Sequence, residues 1–124
     1  IVRGDPSEEV RLAAVRALGA AGDPRAVPVL TAALREGDKA ADKGKVVAAA
    51  EALGRIATPE AIHTLADTLR DGTFDAQTSA AFALKQTGKD EAVAILREQE
   101  LSNPDAQVRK VIKIALGEAP DEHE

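Results

Sequence analysis

Apolar residues recur along the chain with the spacing of amphipathic helices. One stripe, spaced i, i+3, i+4, i+7 and i+8, consists of Val10, Ala13, Ala14, Ala17 and Leu18. A second stripe follows, formed by Val27, Leu30 and Leu34. Neither stripe is large enough to be buried within one helical hairpin, so successive hairpins must stack to make a core. No stretch alternates apolar and polar residues with period two, and we therefore predict no sheet.

An Ala-Leu pair near the end of the predicted first helix, Ala17-Leu18, recurs down the chain. Its leucines are Leu18, Leu53, Leu84 and Leu116, which lie 35, 31 and 32 residues apart. A fixed period between about 20 and 50 residues is typical of solenoids. The pattern therefore predicts an all-α fold, a right-handed α-solenoid (α-α superhelix) of about three and a half helix-hairpin repeats.

The same pattern divides the chain into repeats. We predict a repeat array over residues 1–117, with repeats at about 5–36, 42–71 and 74–101, a single last helix at 104–117, and an acidic tail at 118–124. Residues 1–4 resemble the end of an earlier second helix, so we expect the chain to be part of a longer array. Capping residues before proline mark helix starts at Asp23-Pro24, Thr58-Pro59 and Asn103-Pro104.

Three further structural expectations follow from these repeats. Phe82 is predicted to be the largest core side chain of the third repeat. The segment from Gly37 to Lys45 is predicted to be the longest connection, because it accounts for the widest spacing between leucines. Glycines such as Gly37 and Gly54 are expected at or near helix ends, where a left-handed conformation is needed.

These residues together resemble a known repeat family. The matching positions are Val10-Arg11, Ala17-Leu18-Gly19, Gly22-Asp23-Pro24, Ala26-Val27 and Leu30. The pattern resembles HEAT-like repeats of the short type found in phycobilin lyases and prokaryotic scaffold proteins. The resemblance implies that the second helices line a concave binding surface, and that the arginine of the Val-Arg pair ties neighbouring repeats together. Only Val108-Arg109 repeats that pair, so we expect an incomplete ladder.

Composition narrows the classes of function. The net charge of -5 disfavours a nucleic-acid partner, because phosphate binding needs a basic face. The chain has no cysteine, which removes disulfides, thiolate metal ligands and thiol nucleophiles. No apolar run approaches the roughly 18 residues of a membrane span. We expect a cytoplasmic protein with no membrane span and no cofactor.

The sequence offers little for catalysis or metal binding. His63 and His123 are the two histidines, and His123 lies in the acidic tail. A metal site needs three or four converging ligands, which these residues do not supply. Gly44-Lys45 lacks the flanking glycine and hydroxyl residue of a phosphate-binding loop. We therefore predict no catalytic or metal-binding residues and no enzyme activity.

The most informative polar residues project from the second helices, away from the apolar stripes. They are Arg35, His63, Asp67, Arg70 and Glu98. We predict that they form a partner-binding stripe on a non-catalytic protein-protein interaction scaffold. The segment from Asp38 to Lys45 is the competing surface. The alternative function is phycobilin lyase-like chromophore attachment or tetrapyrrole binding, although the chain contains only two aromatic residues.

Overall fold

The computed structural model describes residues 6–118, which form seven α-helices and one 3-10 turn and contain no strand. The helices are α1 (Pro6–Ala21), α2 (Val27–Lys39), α3 (Lys43–Ile56), α4 (Pro59–Asp71), α5 (Phe74–Gln86), α6 (Asp90–Ser102) and α7 (Ala106–Ala115), with the 3-10 turn (Pro24–Ala26) before α2. This architecture confirms the predicted all-α solenoid. The expectations for residues 1–4 and for the tail beyond Glu118 lie outside the described residues.

The helices form two layers. The first layer contains α1, α3, α5 and α7, and each of these helices packs extensively on the next. The second layer contains α2, α4 and α6, whose neighbouring members touch much less. The core lies between the layers, and its largest fully buried side chains are Leu30, Leu34, Leu53, Ile62, Leu65, Leu69, Leu84, Leu96, Ile112 and Val108. The first helices are therefore closely stacked and the second helices are splayed.

Small residues allow the close approach within the first layer. A Cβ added at Gly54 would lie 2.9 Å from the carbonyl oxygen of Ala83, and a Cβ at Gly19 would collide with Ala52. Gly54 and Gly19 follow the repeated leucine, so they face the next first helix at the same register. Both glycines lie near helix ends as expected, but within the helices, where they serve packing; the expected left-handed conformation occurs at Gly22, Gly88 and Gly117. Ala57 takes the left-handed C-cap position after α3.

Polar side chains tie the ends of two second helices, α4 and α6, to the following first helix. Gln77 Nε2 donates to the backbone oxygen of Leu69 at 2.9 Å, and an Arg109 guanidinium nitrogen donates to the backbone oxygen of Asn103. Gln77 and Arg109 occupy the position of the arginine in the Val-Arg pair. The expected ladder is thus present at two repeats, once with glutamine in place of arginine. Among the described residues, every buried side-chain nitrogen or oxygen has a hydrogen-bond partner.

The helix caps confirm two of the predicted starts and correct the third. Asp23 accepts from the backbone N–H of Arg25, and Thr58 Oγ1 accepts from the backbone N–H of Ala61. Hydrogen bonds from the Arg25 side chain and backbone lower the pKa of the Asp23 carboxyl. The predicted cap Asn103 is wrong, because Asp105 caps α7. Asn103 is buried instead and donates to Gln99 Oε1.

Three other expectations are corrected by the structure. Phe82 is 45 % exposed, because its position on α5 faces away from the second layer. The first predicted stripe is wrong, because Val10, Ala13, Ala14 and Ala17 are exposed and Leu18 is half-buried; Val15, which is not in that stripe, is buried instead. The segment from Gly37 to Lys45 is mostly helical, since α2 continues to Lys39 and α3 begins at Lys43.

Candidate functional site

A groove of about 760 Å³ separates α2 from α4 on the side of the second helices. Its walls come from the last two turns of α2 and of α4, and its end is closed by the connection to α5. The lining residues are Leu34, Arg35, Asp38, Lys39, Asp67, Thr68, Asp71, Gly72 and Thr73. The groove exists because neighbouring second helices are splayed, whereas the first helices beneath them are in close contact.

The two walls of the groove carry opposite charges. Arg35 and Lys39 lie four residues apart on α2, so their side chains share one face of that helix. Asp67 and Asp71 are spaced in the same way on α4. The α2 wall also contains Asp38, whose carboxylate is hydrogen-bonded to Thr73, so the groove has one wall with a net positive charge and one acidic wall.

The acidic wall continues into a cluster of charged residues on α4. The His63 Nε2 atom lies 3.5 Å from one Asp67 carboxylate oxygen, and an Arg70 guanidinium nitrogen donates to the other oxygen at 3.2 Å. All three side chains are accessible to solvent. Asp67 therefore has a polar neighbour on each side at the rim of the groove. The outer edge of the cluster, formed by His63 and Arg70, stays open for contact.

The closed end of the groove is built around Asp38. Its carboxylate accepts hydrogen bonds from the backbone N–H and the hydroxyl of Thr73. Thr73 caps the start of α5, and its Oγ1 also accepts from the backbone N–H of Ala76. Asp38 therefore links the end of α2 to the start of α5 and fixes the shape of this end of the groove.

The predicted binding stripe is only partly brought together. Arg35 and Asp67 line the groove, and His63 and Arg70 contact Asp67. Glu98 lies on α6, is exposed, and is not part of the groove lining. The sequence interpretation treated Asp38 and Lys39 as part of a competing loop, but both residues line the same groove. Asp71, whose spacing of i+4 from Asp67 was an available signal, was missed.

The groove contains little that could perform chemistry. Within residues 6–118, no group of three or more His, Cys, Asp or Glu side chains is arranged to hold a metal ion. His63 has the carboxylate of Asp67 as a neighbour, but the described groove lining contains no serine, and the chain has no cysteine. Among the helices described between residues 6 and 118, none is both long and apolar enough to cross a membrane.

Comparison with known proteins agrees with the geometry of the stack. The sequence matches the family described as HEAT repeats over residues 1–47 and again over residues 41–117. No curated protein matches the chain. HEAT repeats commonly serve as scaffolds for protein interaction, and the family is typically non-enzymatic. The two matched segments cover the stacked helices and the groove between α2 and α4, and the chain therefore belongs to the HEAT repeat family.

Proposed function

We propose that this chain is a non-catalytic interaction scaffold that binds a protein or peptide segment in the groove between α2 and α4. The observation that carries the proposal is the pair of oppositely charged walls that line the groove of about 760 Å³. Packing requires none of these charged side chains, because the core beneath them is made of buried leucines. Arg35, His63, Asp67 and Arg70 would supply the specific contacts, and Glu98 would extend the contact surface along α6.

The charge pattern favours a protein ligand over other partners. A basic wall opposite an acidic wall matches a polypeptide segment that carries both signs of charge, because complementary potentials guide the partner into one orientation. A nucleic acid would meet the acidic wall as well as the basic one, and the chain as a whole carries a charge of -5. We also propose a cytoplasmic location and the division into repeats predicted from the sequence.

No observation favours the alternative function of bilin attachment. Pockets for small organic ligands are lined mainly by apolar and aromatic side chains. The described lining of this groove contains one large apolar residue, Leu34, and no aromatic residue. Phe74 and Phe82 both lie on α5, outside that lining. A tetrapyrrole would therefore find charged walls but no aromatic surface on which to stack.

The proposal is tested by exchanging charges within the groove. We expect the double variant Asp67→Lys, Arg70→Glu to lose the partners that wild type captures from the source organism, as measured by quantitative mass spectrometry. The variant keeps the net charge and an ion pair at the same site, and surface changes of this kind alter stability by only about 0.5 kcal/mol. Any loss of capture therefore reports the contact and not the fold.

A matched control exchanges charges elsewhere on the second layer. Lys89→Glu with Glu91→Lys alters two exposed residues at the start of α6 and also preserves the net charge. This control should capture the same partners as wild type. If the α4 variant retains every partner, or if both variants lose the same partners equally, the groove is not the binding surface.

A further inference from the structure

The two phenylalanines of this chain are its only aromatic residues, and both are exposed. Phe74 is 46 % exposed and Phe82 is 45 % exposed, and they lie two helical turns apart on α5. Phe82 lies on the side of α5 opposite its buried residues, and Phe74 lies at the flank of that side, about 80° away around the helix. Solvent-exposed aromatic side chains grouped on one helix face are a mark of interaction surfaces.

The neighbouring first helix continues this apolar face. Phe82 precedes the repeated Leu84 by two residues, and Ile114 precedes Leu116 by two residues. The two side chains therefore occupy the same register position on α5 and α7, which pack directly on each other. Ile114 is 52 % exposed. In the earlier repeats this position holds Arg16 and Glu51, which are charged.

Basic residues border the apolar positions on both helices. Lys85 follows Phe82 by one turn, and Lys110 precedes Ile114 by one turn, and both lysines are exposed. The sequence of α7 contains two further cationic residues and no acidic residue, although the chain as a whole is acidic. The outer face of α5 and α7 thus combines large apolar side chains with two exposed lysines, and Asp75, exposed at the start of α5, is the acidic residue of these two helices.

We propose that this outer face, formed by Phe74, Phe82, Ile114, Lys85 and Lys110, is a second docking surface for an acidic polypeptide segment with large apolar side chains. The apolar side chains of such a segment would cover the phenylalanines and the isoleucine, and its carboxylates would pair with the two lysines. The surface lies in the first layer and is separate from the groove between α2 and α4.

Other occupants fit this surface less well. An anionic membrane would repel a chain with a net charge of -5 over most of its area. A two-fold contact with a second copy would place the same lysines of both copies at one interface, because such an interface uses the same patch twice. The acidic tail of this chain, Glu118 to Glu124, contains no large apolar residue to cover the rings.

The test is a selection of displayed random 16-residue peptides against the full chain. We expect enriched peptides in which Asp or Glu neighbours Leu, Ile or Phe. The affinity of the most enriched peptide is then measured by fluorescence anisotropy. The double variant Phe82→Ser, Ile114→Ser should weaken its binding by about tenfold or more, which is the loss expected when interface anchors are truncated.

Two further double variants distinguish the loss of a binding contact from a change in folding. Lys85→Glu with Lys110→Glu should also weaken binding of the acidic peptide, and the groove variant Asp67→Lys, Arg70→Glu should not affect it. Failure to enrich acidic peptides, or equal binding by wild type and by both α5–α7 double variants, would overturn the proposal. Binding lost only in the groove variant would assign the peptide to the groove instead. Association of the chain with itself or with anionic vesicles, abolished by Phe82→Ser and Ile114→Ser, would also overturn it.

Discussion

Leu84 and Phe82 of α5 show that the contribution of an apolar side chain to stability depends on how much of it is buried. Leu84 is fully buried in the core, whereas Phe82, two residues earlier, is 45 % exposed. Hydrophobic stabilisation scales with the apolar area removed from water, at about 25 cal/mol per Å². The larger residue therefore contributes less to the fold, because much of its ring stays in solvent.

This difference predicts an order of stabilities. Leu84→Ala should lower the free energy of unfolding by about 2 to 5 kcal/mol, since it leaves a cavity in a closed core. Phe82→Ala should lower it by less, about 1 to 2 kcal/mol, since nearly half of the side chain was already hydrated. Urea unfolding of the two variants measures both values. A larger loss for Phe82→Ala would place that ring in the core and would remove it from the proposed docking surface.

Glu100 makes the stability of the folded chain depend on pH. Its carboxyl has a raised pKa, first because of partial burial and then because of the hydrogen bond and negative charge of Glu118; Lys113 and Arg97 oppose the shift. A raised pKa in the folded state means that folding favours the protonated form. The stabilising contribution is therefore complete below the ordinary pKa of a glutamate and is lost as pH rises through the folded value.

We therefore expect Glu100→Gln to raise the melting temperature at neutral pH, because it removes the cost of an ionised carboxylate beside Glu118. The advantage should shrink as the pH falls below the ordinary pKa of a glutamate, where wild type is protonated as well. Melting curves across this pH range measure the difference. Glu98→Gln, an exposed change on the same helix, is the control. A difference between Glu100→Gln and wild type that is constant with pH would contradict the proposed cause.

At the scale of helices, contacts between small residues set the spacing of the first layer. Gly54→Ala should destabilise the fold by about 1 to 3 kcal/mol, because the new methyl group would approach the Ala83 carbonyl to 2.9 Å. Gly44→Ala is the matched control in the same helix, since its nearest neighbour would be an Asp42 carboxylate oxygen at 3.7 Å. The control should be neutral or stabilising by about 0.5 kcal/mol, as alanine favours helix. Equal effects in chemical unfolding would show that the helices do not depend on this contact.

The helices also show which features are accessible from sequence. Apolar periodicity and the recurring Ala-Leu phrase predicted the number of helices and their stacking, because these signals are local. The role of Gly54 was not accessible, since a glycine before a helix end and a glycine at a helix crossing look alike in sequence. The end of α2 was misplaced for a related reason: Gly37 is a weak helix former, but it lies within α2, where a Cβ would crowd Lys45 and Val46 of α3.

The candidate site was only partly predictable, because sequence patterns report local spacing but not the distance between helices. The outward positions of α2 and α4 followed from helical spacing, which identified Arg35 and Asp67. The groove between them depends on how far neighbouring second helices diverge, and no local pattern encodes that distance. Asp38 and Lys39 were consequently assigned to a loop, although the continued helix places them on the groove wall.

At the scale of the whole molecule, stability depends on contacts between neighbouring repeats. α3 and α5 each pack between two other first helices, whereas α1 packs on one. We expect the slowest amide hydrogen exchange in α3 and α5 and faster exchange in α1, because local opening requires fewer contacts to break at the edge of a stack. Mass spectrometry of peptic fragments provides the measurement. Equal protection of all helices would indicate that the chain unfolds as one cooperative unit.

The central claim is that a polypeptide partner binds between the charged walls of α2 and α4. The most direct measurement is hydrogen exchange of the chain with and without a partner recovered by the wild-type protein. We predict added protection at the ends of α2 and α4, centred on residues 34–39 and 67–73. Protection confined to α6, or absent from both walls of the groove, would contradict the claim.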